Sequence, residues 1–111
     1  MEPVRLTTDF WVAAYLARLE AAAIPAFLTA KGDPTAGAVL IKVATMDGRA
    51  SAFSRAYGPD GERVWQPLAE NLPEAEADAA LERQKSFDPD VWIIEIEDKH
   101  GRSLLDEDGL T

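Results

Sequence analysis

The dipeptide Asp47-Gly48 stands at the end of a run of alternating apolar side chains, and this constrains the chain more than any other feature. Asp-Gly favours the positive φ angles of a type I′ turn, whose twist matches the strands it joins. Val39, Ile41, Val43 and Thr45 alternate with Leu40, Lys42 and Ala44 before the turn, so a β-hairpin is predicted. A two-residue turn would set Met46 opposite Arg49. The register then fixes which side chains share a face, because a slip of one residue exchanges the faces. Face one would hold Val39, Ile41, Val43 and Thr45 with the small partners Ala56, Ser54, Ala52 and Ala50, leaving room for a helix. Face two would pair Leu40 with Arg55 and Lys42 with Phe53.

A second turn, Gly58-Pro59-Asp60-Gly61, leads into a strand from Glu62 to about Leu68, with Tyr57 opposite Glu62. Trp65 then joins face one, and Val64, Gln66 and Leu68 join face two. Pro67 has no N–H for a ladder, which places this strand at an edge. Upstream, Thr8 or Asp9 caps a helix to about Ala23, stopped by Pro25, with Val12, Leu16, Leu19 and Ala23 as its core stripe flanked by Trp11 and Tyr15. Phe10, Ala14, Ala17 and Ala21 on its other side predict cover there too. Ile24 to Lys31 reads as a short strand, and Gly32-Asp33-Pro34-Thr35-Ala36-Gly37 as a loop. Pro73 opens a second helix to about Ser86 with a thin stripe of Ala77, Ala80, Leu81 and Phe87. Val91 to Glu97 is apolar on both faces at first, the pattern of an interior strand. Asp98 to Gly101 is a turn, and Arg102 to Leu105 a short edge strand.

These elements predict an α+β fold: a mostly antiparallel sheet of five or six strands with two helices, in the order α-β-β-β-β-α-β(-β). With 111 residues, 47% of them hydrophobic, the expectation is a single domain over residues 1–111. No window is apolar enough to span a membrane, the N-terminus lacks the pattern of a signal peptide, and there is no cysteine. A cytoplasmic protein is expected. The net charge of −9 is uneven, since residues 1–57 carry five acids and six bases and residues 58–111 carry fifteen acids and five bases. Such a chain has no basic footprint for nucleic acid.

Three segments, Thr8 to Tyr15, Gly32 to Val43 and Phe87 to Asp98, together resemble a family of small uncharacterised bacterial proteins grouped as a domain of unknown function. The resemblance implies a shared fold and a bacterial source. It brings no activity, cofactor or catalytic residue.

The residues themselves offer little chemistry. No serine lies in a Gly-x-Ser-x-Gly elbow, and His100, the one histidine, falls in a turn. Glu95, Glu97, Asp98, Asp106, Glu107 and Asp108 have no EF-hand spacing and read as a solvated acidic edge; no metal or cofactor is expected. Gly32 to Gly37 lacks the Gly-Lys-Ser/Thr of a phosphate loop, and Asp33 is expected to cap it as a turn. Trp11, Trp65 and Trp92 fall at or beside periodic core positions. Catalytic residues stay unassigned.

Face two remains: Leu40, Phe53, Tyr57, Val64 and Leu68 are too many apolar groups to leave in water. Either the second helix covers them or another subunit does. The first reading is a non-enzymatic interaction module, a homo-oligomer or a binder of another protein, using this surface and the alanine-rich side of the first helix. The alternative is a small-molecule site, in a binding protein or an enzyme, in which Lys42 and Arg55 hold an anion and Asp33 or His100 supplies acid or base.

Overall fold

Helix α1 (Thr8–Ala21) is followed by strands β1 (Ala26–Ala30), β2 (Val39–Ala44), β3 (Arg49–Tyr57) and β4 (Arg63–Pro73), then helix α2 (Glu74–Phe87) and strand β5 (Trp92–Glu97). The computed structural model describes residues 6–57 and 63–107. The turn expected at Gly58 to Gly61, Glu62, the side chains of Ala56, Tyr57 and Arg63, and Asp108 lie outside the described residues.

The chain reverses at Asp47-Gly48, but around three residues. Ala44 pairs with Ala50 and Leu40 with Ser54, and the Thr45 amide donates to the Arg49 carbonyl at 3.1 Å. Met46 (φ 64°) and Gly48 (φ 85°) both take left-handed backbone. The Asp47 carboxylate braces this wider loop, accepting from the Thr45 hydroxyl at 2.6 Å and the Arg49 amide at 3.1 Å. The added loop residue moves the register by one and inverts β3 relative to the sequence expectation. Phe53, opposite Ile41, packs with Val39, Ile41 and Val43, while Ala50 and Ala52 lie with Leu40.

The sheet order is β1-β5-β2-β3-β4, with β2 and β5 parallel and every other pair antiparallel. β5 is interior, as its doubly apolar sequence requires. With β1 on one side of it and β2 on the other, β5 has no ladder left for a hairpin return by residues 102–105, and no sixth strand forms among the described residues. That segment folds onto α1 instead. Buried Tyr15 donates its hydroxyl to the Ser103 carbonyl at 2.7 Å, and burial pushes its phenol pKa up, keeping the donor protonated.

Each sheet face carries one helix. α1 lays Trp11, Val12, Tyr15 and Leu19 on Val39, Ile41, Val43, Trp92, Ile94 and Ile96. Phe10, Ala14, Ala17 and Ala21, expected to be covered, are exposed. α2 lays Ala77 and Leu81 on Leu40, Ala50, Ala52, Ala69, Val91 and Ile93. The alanines do make room for a helix, on the face opposite to the one expected. α2 starts at the hairpin: the Glu74 amide donates to the Gly48 carbonyl at 2.9 Å.

β4 is an edge strand, as Pro67 requires, but it runs on to Pro73 through two irregularities. Leu68 is the extra residue at one, and Asn71 (φ 46°) lies at the other.

Ala77 is fully buried against the alanine patch, so Ala77→Leu forces α2 off the sheet. The expected loss is about 1–3 kcal/mol, measured by equilibrium urea unfolding.

Candidate functional site

Lys42 projects from β2 beneath α2 and is only 5% exposed. Its ammonium reaches three carboxylates: Asp78 at 2.7 Å and Glu74 at 3.1 Å, both from α2, and Glu95 at 3.1 Å from β5. Burial by itself lowers the lysine pKa, but the hydrogen bonds the ammonium donates to Asp78, Glu95 and Glu74 outweigh it and the net shift is upward. The group is therefore a fixed cation at neutral pH, surrounded by more negative charge than it cancels.

Arg55 lies on the opposite face. Its guanidinium stacks over Trp11 at 4.4 Å and Trp65 at 5.0 Å, and Trp11 in turn stacks on Tyr15 at 4.9 Å. The one-residue register change separates Lys42 from Arg55, so they share no site. It also divides the expected apolar surface. Leu40 is buried under α2, Leu68 is half-buried against the same cluster, Val64 is half-buried, and Phe53 packs into the core beneath α1. For Tyr57 only the backbone is described, paired with Arg63 rather than Glu62.

Two open clefts flank β1. α2 packs mainly on β2, β3 and β4, reaches β5 through Leu81 against Ile93, and leaves Phe27 and Thr29 of β1 exposed. A cleft of about 360 Å³ lies there, lined by Lys42, Asp78, Glu82 and Glu95 with Thr29, Leu81 and Ile93. On the α1 face a cleft of about 270 Å³ is lined by Leu16, Glu20, Ile24, Pro25 and Ala26. Between them Phe27 is 50% and Leu28 43% exposed. Phe27 pairs with Glu95 and so faces the acidic cleft, and Leu28 pairs with Ile94 and faces the apolar one. Sequence reasoning missed this region, because it assigned Ile24 to Lys31 to a strand without knowing that the strand lies at an edge.

Asp33 and His100 lie apart from these clefts' linings. Asp33 caps its loop through the amides of Thr35 (3.2 Å) and Ala36 (2.8 Å). His100 is exposed in the turn after β5. Among the described residues no group of three or more His, Asp or Glu side chains is arranged to hold a metal ion, and no helix is long and apolar enough to cross a membrane.

The loop 32–37 is instead the junction of the fold. The first amides of α1, Thr8 and Asp9, donate to the carbonyls of Thr35 (3.1 Å) and Pro34 (2.9 Å). The Trp92 indole donates to the Asp33 carbonyl at 2.8 Å, and the Asp33 amide to the Asp90 carbonyl at 3.0 Å. Gly32 and Gly37 press on the Asp90 carbonyl so closely that neither admits a β-carbon. All three segments behind the family resemblance thus meet at one place. The model of a family described as "protein of unknown function (DUF1491)" matches residues 6–106.

The chain belongs to the DUF1491 family. Two structures of a DUF1491 family protein from Caulobacter crescentus CB15 are similar to it. The crystal structure at 1.87 Å shares 45% identity at a TM-score of 0.84, covering 93% of this chain and 97% of that one. The NMR structure shares 44% at 0.82, covering 95% and 96%. Protein Atu0922 from A. tumefaciens shares 30% at 0.73, covering 85% and 86%. Comparison with curated proteins gives no match. The DUF1491 fold therefore recurs in bacterial proteins for which no activity is stated.

Lys42→Met keeps the aliphatic stem and removes the charge, leaving Glu74, Asp78 and Glu95 to repel one another. Because these carboxylates reach water, the expected loss is about 1–3 kcal/mol in low salt, partly restored by high salt. Unchanged unfolding in low salt would show the cluster to be dispensable. Asp98 gives a second test. Hydrogen bonds from the Arg102 side chain and amide hold its carboxyl at about 2, below the ordinary 3.8. Its contribution is therefore complete above the unfolded-state value and is lost as pH falls through about 2. The stability gap between wild type and Asp98→Asn, followed by thermal melts, should be full at about pH 5 and should close on acidification.

Proposed function

We propose that this DUF1491 protein is a non-enzymatic interaction module that accepts an extended segment of another protein as a sixth strand on β1. One observation carries the reading: the two edges of the sheet are built differently. β4 carries Pro67, Pro73, Glu70 and two irregularities, the devices that discourage strand addition. β1 is Ala26-Phe27-Leu28-Thr29-Ala30, with no charge and no proline, and its only irregularity lies between Leu28 and Ala30. Among the described residues its backbone pairs only with β5. Strand addition takes affinity from such backbone groups and specificity from pockets for alternate side chains.

A different protein is favoured over a second copy, because the chain's net charge of −9 opposes self-encounter and draws a basic partner. The absence of cysteine suits a reducing, cytoplasmic setting. The acidic cleft beside β1 gives no support to an anion-binding enzyme.

The test is to pan a displayed random-peptide library against the whole chain and map the enriched peptides by backbone amide shifts. Enriched peptides should move Phe27 to Ala30, and Leu28→Lys should abolish their binding. Peptides that map to β4 or to the helices, or no enrichment at all, would refute the reading.

A further inference from the structure

We infer that the segment received by β1 alternates basic and apolar side chains, the basic ones entering the cleft under α2 and the apolar ones the cleft beside α1. The inference rests on the strand-addition reading and adds the partner's sequence pattern. Side chains of an added strand point alternately to the two faces of the sheet, in step with the neighbours they pair with. Partner residues beside Phe27 and Thr29 therefore face α2, and those beside Ala26 and Leu28 face α1.

The two faces ask for opposite chemistry. On the α2 side, the ammonium of Lys42 contacts Glu74, Asp78 and Glu95, and Glu82 lines the same cleft, so these five side chains carry a surplus of negative charge. A long lysine or arginine lying across Thr29 leads its charge toward Glu95 and Glu82, while its stem packs on the half-exposed Phe27 ring. An acidic residue placed there would meet like charge from β5 and α2 together. On the α1 side the surface beside Leu28 is Leu16, Ile24, Pro25 and Ala26, and among the described residues Glu20 is the one acid lining it. Apolar side chains lose water there without an ionic partner to satisfy. The −9 charge of the chain adds steering, and the paired clefts add register.

The probes are synthetic seven-residue peptides, Val-Lys-Val-Lys-Val-Lys-Val and its Val-Ser and Val-Glu counterparts. The control is a block peptide of the same composition as the first, with all its valines preceding all its lysines. Binding to the intact chain is read by amide shifts and fluorescence anisotropy. The alternating basic peptide should move Phe27 to Ala30 saturably, bind about tenfold or more tightly than the Ser version, and weaken with salt. It should also outbind the block control. Glu82 lines the cleft but is exposed, so Glu82→Lys should weaken the basic peptide and spare the Ser peptide, with circular dichroism checking the fold.

Equal binding of the Lys, Ser and Glu peptides at β1 would overturn the charge pattern and leave the edge reading standing. Equal binding of the block control would reduce it to nonspecific charge attraction. No movement of β1 with any peptide would remove the edge reading itself. Sedimentation as a dimer that Leu28→Lys dissociates would put a second copy on the edge and overturn the inference.

Discussion

An ammonium group on the inward face of a central strand stays charged only if carboxylates come to it, and in this fold they come from two elements at once. Lys42 draws Glu74 and Asp78 from α2 and Glu95 from β5, so one cation ties a helix to the strand that follows it in the chain. Burying a lone lysine would cost several kcal/mol, so α2 cannot lie elsewhere without exposing or neutralising it. The hairpin prepares this arrangement. Its register turns Lys42 toward the alanines of β3, and its Gly48 carbonyl takes the first amide of α2.

The element order, the interior character of β5 and the edge position of β4 were legible because each is written in local pattern: doubly apolar runs, a proline in a ladder, an apolar stripe that ends before a proline. Register was not. Asp47 braces both Thr45 and Arg49, so the reversal takes in Met46 and three residues form the loop. Periodicity is blind to this, because an alternating strand looks the same whichever face is inward. The consequence is disproportionate. Phe53 and Arg55 pass to the α1 side, and the surface that would have joined Phe53 to Leu40 and Lys42 is divided between two layers.

Strand order was equally hidden. That β1 rather than the C-terminal segment flanks β5 is decided by long-range pairing, and it creates the open edge. The junction at loop 32–37 shows how packing can set the residues behind a family resemblance. Gly32, Gly37 and Trp92 meet there because the chain must bring the start of α1, the approach to β2 and the start of β5 within hydrogen-bond reach. Two backbones that touch at the Asp90 carbonyl leave no space for a side chain, which is a packing demand and not a chemical one.

The two edges of the sheet follow different rules. A small sheet that only had to remain folded and soluble would gain from charging or kinking both edges. β4 follows that rule with its prolines, its charge and Asn71, whose carbonyl accepts the Arg49 side chain at 3.0 Å. β1 departs from it, keeping Phe27 and Leu28 half in water with a cleft beneath each face. Neither residue is needed to close the cores, since Trp92, Ile94 and Ile96 on one side and Ile93 with Leu81 on the other already do so. Lys42 belongs to both accounts at once. It holds α2 over β2 and β3, and by holding it there it leaves the same side of β1 exposed, so the contact that fixes the fold also borders the cleft.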